Sequence, residues 1–346
     1  MLEELQIALD MGGCSSKFKY SEFLLDKQSK LQIDDLDLVY ELFSQHTKKI
    51  AIYSWYKEPD HLSNYQELFE KEQKLSDLDI YIRPDTISIY RLNRDSSYVG
   101  WLKEQGIKKA KVTFVGLESN SNYFIGRPGA YKELLNALNI LVDNEIIPEI
   151  EIIINKKNLS DLKKLLALID KMEIKQRVEA FGGKFIIYAK VGRPTGENLK
   201  NIAYRITEKD LWQIPEKLLL ETKKIDKSDI LFGMPEHKLY EKYIKKAEYI
   251  NIKKNKLKLY IDYRFDVYFL NTNPYFKLGN LKQNQVNEIL DNYMNNKSFI
   301  QNVSVSIKIN ELVKEFGNQN GIWLFKEEDY LLYLLELYCQ KYYCNK

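Results

Sequence analysis

Short β-prone runs that alternate with helical stripes constrain this chain more than any other feature. Between consecutive runs there is enough chain for a crossover helix, the connection that parallel strands require. The runs are Leu5–Leu9, Ile50–Trp55, Asp79–Ile82 or Ile87–Tyr90, Lys111–Val115, Ile150–Ile154 and Lys184–Ala189. They predict about six parallel strands. Two intervening helices are marked by apolar stripes: Leu134, Leu135, Leu138, Leu141 and Val142 form one, and Leu159, Leu162, Leu165, Leu166 and Ile169 the next. Such spacing puts each set on one helix face, as core packing demands. Asn158, with Asp161 three residues on, predicts the second helix start through a side chain that satisfies free backbone amides.

After residue 215 the rhythm changes. Leu257, Leu259 and Ile261 alternate with polar or amphipathic residues, and Val267 and Phe269 predict a returning strand around a turn at Asp262–Phe265. Pro274–Asn280, a helix around Val286–Tyr293 and a terminal helix over Glu327–Tyr343 follow. The expected architecture is therefore α/β, a partial (β/α)6 TIM-like barrel over residues 1–215 with a small α+β C-terminal extension over residues 216–346. Tyr330, Leu331, Tyr333, Leu334, Leu337 and Tyr338 form an apolar face on the terminal helix. Packing of that face on the barrel is the simpler expectation, and an offered partner surface the other.

Composition excludes several function classes. With 52 basic and 49 acidic residues and Lys spread along the chain, no nucleic-acid partner is expected. No apolar run approaches a bilayer span, and Glu3, Glu4 and Asp10 argue against a leader, so no membrane association and a cytoplasmic location are expected. Cys14, Cys339 and Cys344 are too few for a disulfide framework in a chain this long. His46, His61 and His237 form no short ligand spacing with them, which argues against zinc. No Gly-x-Ser-x-Gly elbow is present, so a serine hydrolase is not expected.

In a strand-helix barrel, chemistry is carried by the loops after the strands. The first loop reads Met11-Gly12-Gly13-Cys14-Ser15-Ser16-Lys17-Phe18-Lys19-Tyr20-Ser21. The second reads Tyr56-Lys57-Glu58-Pro59. Further on come Lys111–Glu118, Tyr123–Tyr131 and Ile147-Pro148, then Ile154-Asn155 and Val191-Gly192-Arg193-Pro194. In this order the segments resemble the radical S-adenosylmethionine (SAM) enzymes over roughly residues 4 to 300. Pro274–Leu281, followed by an amphipathic helix, resembles the Gly-Asn turn of their SPASM or twitch extensions, though an ordinary turn before a helix reads the same way.

The resemblance implies a first loop carrying CxxxCxxC, three thiolates for a [4Fe-4S] cluster whose fourth iron SAM chelates. Here the three positions hold Cys14, Phe18 and Ser21, with Tyr20 as the aromatic before the third. Phe18 has no donor atom, and a serine hydroxyl deprotonates far less readily than a thiol. No [4Fe-4S] cluster is expected, nor an auxiliary one, since no cysteine occurs between Cys14 and Cys339. Tyr56 and Lys57 replace the glycines of a Gly-Gly-Glu-Pro loop that in the family receives the SAM amino group. The resemblance assigns Glu58, Glu118, Asn155 and Arg193 as cofactor-binding residues, with SAM the one cofactor left open. It leaves no catalytic residue and no metal ligand.

Each assignment has a plainer reading. Glu58 is an ordinary acid beside Lys57, Glu118 and Asn155 cap their loops, Arg193 makes a surface ion pair, and Cys14 is a packed thiol. The expected function is a catalytically degenerate radical SAM-like protein in a peptide or small-molecule modification pathway. Its partner would be a peptide substrate or an active partner enzyme. The alternative is a cluster-independent enzyme using SAM or another ligand at the barrel mouth, with Glu58 or Glu118 as general base.

Overall fold

The computed structural model describes residues 2–12, 15–22, 31–54, 62–77, 87–228, 230–250, 257–269 and 272–343, apart from the side chains of residues 304 and 305. The strands are β1 (Leu5–Leu9), β2 (Ile50–Ser54), β3 (Lys109–Phe114), β4 (Ile147–Ile153), β5 (Ile186–Lys190), β6 (Met234–Pro235), β7 (Leu257–Ile261), β8 (Asp266–Phe269), β9 (Lys277–Asn280) and β10 (Leu324–Phe325). The helices used below are α1 (Asp35–Ser44), α2 (Tyr65–Lys74), α3 (Tyr98–Glu104), α4 (Glu118–Ile125), α5 (Ala130–Asp143), α6 (Leu162–Lys171), α7 (Glu236–Tyr243), α8 (Val286–Met294) and α9 (Glu327–Tyr342).

The chain is α/β with parallel strands joined by helices, as the alternation predicts. β3, β4 and β5 form one parallel sheet in sequence order, with Val112 opposite Ile150 and Ile150 opposite Ile187. β1 and β2 are parallel, with Ile7 opposite Ile52, in a separate sheet ordered β2-β1-β7-β8-β9. No closed barrel forms among the described residues. The predicted strand at Asp79–Ile82 lies outside them. Its alternative, Ile87–Tyr90, is corrected: Ile89–Leu92 is a helical turn whose cap, Ser88, accepts the Arg91 N–H at 3.1 Å. A satisfied cap outweighs the β-propensity of Ile87, Ile89 and Tyr90.

Asn158 also departs from expectation. Its Oδ1 accepts the Asn155 N–H at 2.9 Å and its Nδ2 donates to the Ile153 carbonyl at 2.7 Å, so it closes the end of β4 instead of capping the helix. A 3-10 turn, Leu159–Asp161, starts that helix. Asp161 turns across to the neighbouring loop, accepting the Leu117 N–H at 2.9 Å and the Asn120 amide at 2.8 Å.

The hairpin forms where the alternation predicts it, β7 pairing antiparallel with β8. Asp262 Oδ1 accepts the N–H groups of Arg264 and Asp266 at 2.9 and 3.0 Å, which fixes the turn. What the pattern did not reveal is the other edge. β7 runs parallel to β1, Leu259 opposite Ile7, so the hairpin extends the sheet that begins at the first strand.

One core therefore spans both ends of the chain: Leu5, Ile7, Leu9, Ile50, Ile52, Leu259 and Ile261 pack with Phe43 of α1, Ile289 of α8 and Tyr330 and Leu334 of α9. Of the apolar face of the terminal helix, Tyr330, Tyr333 and Leu334 are buried within the chain and Leu331, Leu337 and Tyr338 are half-buried against the same core. A second core packs Val112, Phe114, Ile150, Ile152 and Ile187 against the stripes of α5 and α6. Among the described residues, no helix is long and apolar enough to cross a membrane. Leu259, fully buried in the central strand of the first sheet, is the test of that shared core. Leu259→Ala should cost about 3 kcal/mol, read as a lower denaturation midpoint.

Candidate functional site

The loops that follow β1, β3, β4 and β5 meet at the carboxyl ends of those strands, and residues 15–22 lie across the meeting point. Both neighbouring loops hold this segment. From the β3 side, the Phe124 carbonyl accepts the Lys19 N–H at 2.8 Å, and Arg127 Nε donates to Ser16 Oγ at 3.1 Å. From the β5 side, Asn201 Nδ2 donates to the Lys19 carbonyl at 2.7 Å, and the Asn198 N–H to the Ser21 carbonyl at 3.0 Å. Thr195 Oγ1 adds a bond to the Glu22 carbonyl at 3.2 Å. Gly126 makes the approach possible. Its φ of +76° suits glycine, and a Cβ there would lie 2.5 Å from the Lys17 carbonyl oxygen.

Side chains complete the plug. Phe18 packs on the β3–β5 core with its ring 5.6 Å from that of Tyr20. Tyr20 packs against Val115, Phe124 and Ile153. The cleft that remains, lined by Tyr20, Asn155, Val191, Gly192, Pro194 and Arg205 among others, has a volume of ≈ 30 Å³. That is room for about one water, whereas small-molecule sites usually measure about 300–1,000 Å³.

The predicted cofactor residues do not assemble into one set. Glu58 lies outside the described residues. Glu118 begins α4 and is exposed, 3.9 Å from Lys132 and away from the cleft. Asn155 lines the cleft, but its Oδ1 accepts the Lys157 N–H at 2.9 Å, a local turn bond. Arg193 forms ion pairs, its Nε 3.2 Å from Asp329 of α9 and its Nη1 3.8 Å from Glu22. Burial pushes both carboxyls above their usual range, against the pull of that guanidinium. Arg193 thereby ties the plug to the terminal helix.

Other residues of the site went unread in the sequence. Arg205 is buried, donates to the carbonyls of Leu324 and Gly192, and lies 4.2 Å from the Phe325 ring centroid. Burial lowers its pKa to about 10, so it stays charged at neutral pH. A lone cation between Tyr204 and Ile206 was the only trace of this role. Glu72 left a clearer trace, since it continues the buried stripe of Tyr65 and Leu68 on α2. At the end of β2 it accepts the Ser54 N–H at 2.6 Å and the Ser54 hydroxyl. Desolvation drives its pKa up to about 7, partly offset by those bonds.

Solved structures with the same architecture are those of anSMEcpe. With AdoMet and the Cp18Cys peptide bound, it is similar to this chain at 13% identity and a TM-score of 0.54, over 100% of this chain and 98% of that one. With AdoMet alone the values are 11% and 0.53, over 99% and 98%. With AdoMet and the Kp18Cys peptide they are 12% and 0.54, over 100% and 99%. The chain has the radical SAM fold. No protein-family model and no curated protein matches the sequence.

The radical SAM fold implies a [4Fe-4S] cluster on the loop after β1, and the described ligand positions do not fit it. The Phe18 ring is packed and carries no donor atom. Ser21 offers a hydroxyl in place of a thiolate, in a segment whose backbone is bonded to the β5 loop. Cys339 is buried in the first core, and no group of His, Cys, Asp or Glu suited to a metal ion occurs among the described residues.

Glu72 gives the fold a pH signature. Its folded pKa is raised from the usual 4.5 of a glutamate to about 7, so the folded state holds the proton more tightly than the unfolded chain. Stability from this group is full below about pH 4.5 and is lost as pH rises through about 7. Glu72→Gln should flatten the pH dependence of the melting midpoint over that window, removing a difference of about 3 kcal/mol at most.

Proposed function

We propose that this protein is a catalytically degenerate member of the radical SAM fold, which acts by binding a peptide or an active partner enzyme in a modification pathway. The observation that carries this reading is the plug. The segment that would hold the cluster is instead bonded to the loops after β3 and β5, with Phe18 and Tyr20 packed inside it. Two of the three ligand positions supply no thiolate, so the protein has no means to cleave SAM reductively. The C-terminal extension, with no cysteine between Cys14 and Cys339, is a twitch-like element without an auxiliary cluster. A peptide partner is consistent with the Cp18Cys peptide bound to anSMEcpe.

Glu118 gives the alternative, a cluster-independent enzyme, no support as a general base. It is exposed and lies outside the cleft. Glu58 remains the residue through which that alternative would have to act.

The deciding experiment is anaerobic reconstitution with iron and sulfide, followed by metal analysis and calorimetric titration with SAM. The expected result is no stoichiometric iron or sulfide and no 5′-deoxyadenosine on reduction with dithionite. A loaded cluster with reductive SAM cleavage would overturn the proposal. SAM binding without iron would instead return the chain to the cluster-independent enzyme.

A further inference from the structure

Four side chains on the rim of the plug form a cationic cluster that none of the roles above uses. Lys19 Nζ lies 3.4 Å from the ring centroid of Tyr123. Lys157 Nζ lies 4.6 Å from the same centroid and 4.1 Å from that of Tyr204. Four different segments supply these residues: Lys19 comes from the plug, Tyr123 from α4, Lys157 from the turn after β4, and Tyr204 from the 3-10 segment after β5. Among the described residues, neither ammonium forms an ion pair. The acids nearby in sequence are engaged elsewhere, Asp161 with Leu117 and Asn120, and Glu118 with Lys132. Lys17 and Lys156 are exposed neighbours in sequence and add positive charge without a partner among the described residues.

Two ammoniums drawn to one aromatic ring repel each other, and the ring quadrupole offsets only part of that cost. Anionic groups paired with them would offset the rest. The Tyr123 ring is exposed, so an extended chain can reach the cluster from solvent without entering the plugged cleft. The positive charge is local, in a chain of net charge +3, and does not form the long basic stripe that tracks a nucleic-acid backbone.

We propose that Lys19, Tyr123, Lys157 and Tyr204 form a docking site for an acidic peptide segment, whose side-chain carboxylates pair with the two ammoniums while its backbone passes over the tyrosine rings. This rests on the reading of the protein as a binder of a peptide or partner and specifies the chemistry of the bound segment.

Fluorescence anisotropy of a fluorescein-labelled octapeptide of alternating Glu and Ala, titrated with the full chain at ~0.05 M salt, tests it. Saturable binding is expected. Lys19→Ala combined with Lys157→Ala should weaken it roughly fivefold or more, and the Lys→Arg pair should retain it. Lys103→Ala with Lys108→Ala, exposed at the opposite end of β3, should leave it unchanged. If the alanine pair lowers the melting midpoint, the Lys→Gln pair replaces it. Absence of saturable binding, equal loss in the two lysine pairs, or tighter binding of a single-stranded oligothymidine would each overturn the proposal. Iron content on the same samples separates the two readings: peptide binding through these lysines in an iron-loaded protein sinks only the degenerate reading, and an iron-free protein indifferent to the lysines sinks only this one.

Discussion

The hold on residues 15–22 is the constraint from which the rest of this site follows. A cluster-bearing loop needs thiolate side chains held toward the irons. Here the Lys19 N–H and carbonyl are both taken, the first by Phe124 and the second by Asn201. Ser21 and Glu22 are held in turn by Asn198 and Thr195. Breaking those bonds would leave half-buried backbone groups without protein partners, at a net cost of about 1 kcal/mol each, so together they fix the segment in place. The Arg193 ion pairs and Arg205 extend the same hold to the terminal helix and to β10.

Much of this was legible in the sequence because periodicity reports burial. Leu5–Leu9, the stripe of α5 and the Leu257–Phe269 hairpin all fall where their apolar spacing places them, since one residue out of register would turn a core face to solvent. That Phe18 and Ser21 stand where the radical SAM resemblance calls for cysteines was equally plain, because it depends on residue identity alone. Local polar choices were less legible. Asn158 has the chemistry of a helix cap, yet it serves the strand end behind it, and only the positions of the Ile153 carbonyl and the Asn155 N–H decide which.

Relations distant in sequence were not legible at all. Nothing in Leu257–Ile261 declares that its free edge pairs with β1, since an alternating strand can take a neighbour on either side. The same applies to Arg193, whose partners Glu22 and Asp329 come from opposite ends of the chain. Glu72 is intermediate. Its place in the buried stripe of α2 was visible, but its partner, Ser54, was not.

The parallel pairing of β1 with β7 also bears on how the chain is made. The first strand leaves the ribosome long before the strand that completes its hydrogen bonding, and β2 can occupy only one of its edges in the interval. Contacts so far apart in sequence form slowly, and an open strand edge invites pairing with other chains. The β3–β5 sheet, built from neighbouring segments, has no such wait. Synthesis therefore favours an order of assembly in which the middle of the chain folds first and the two ends close around it last.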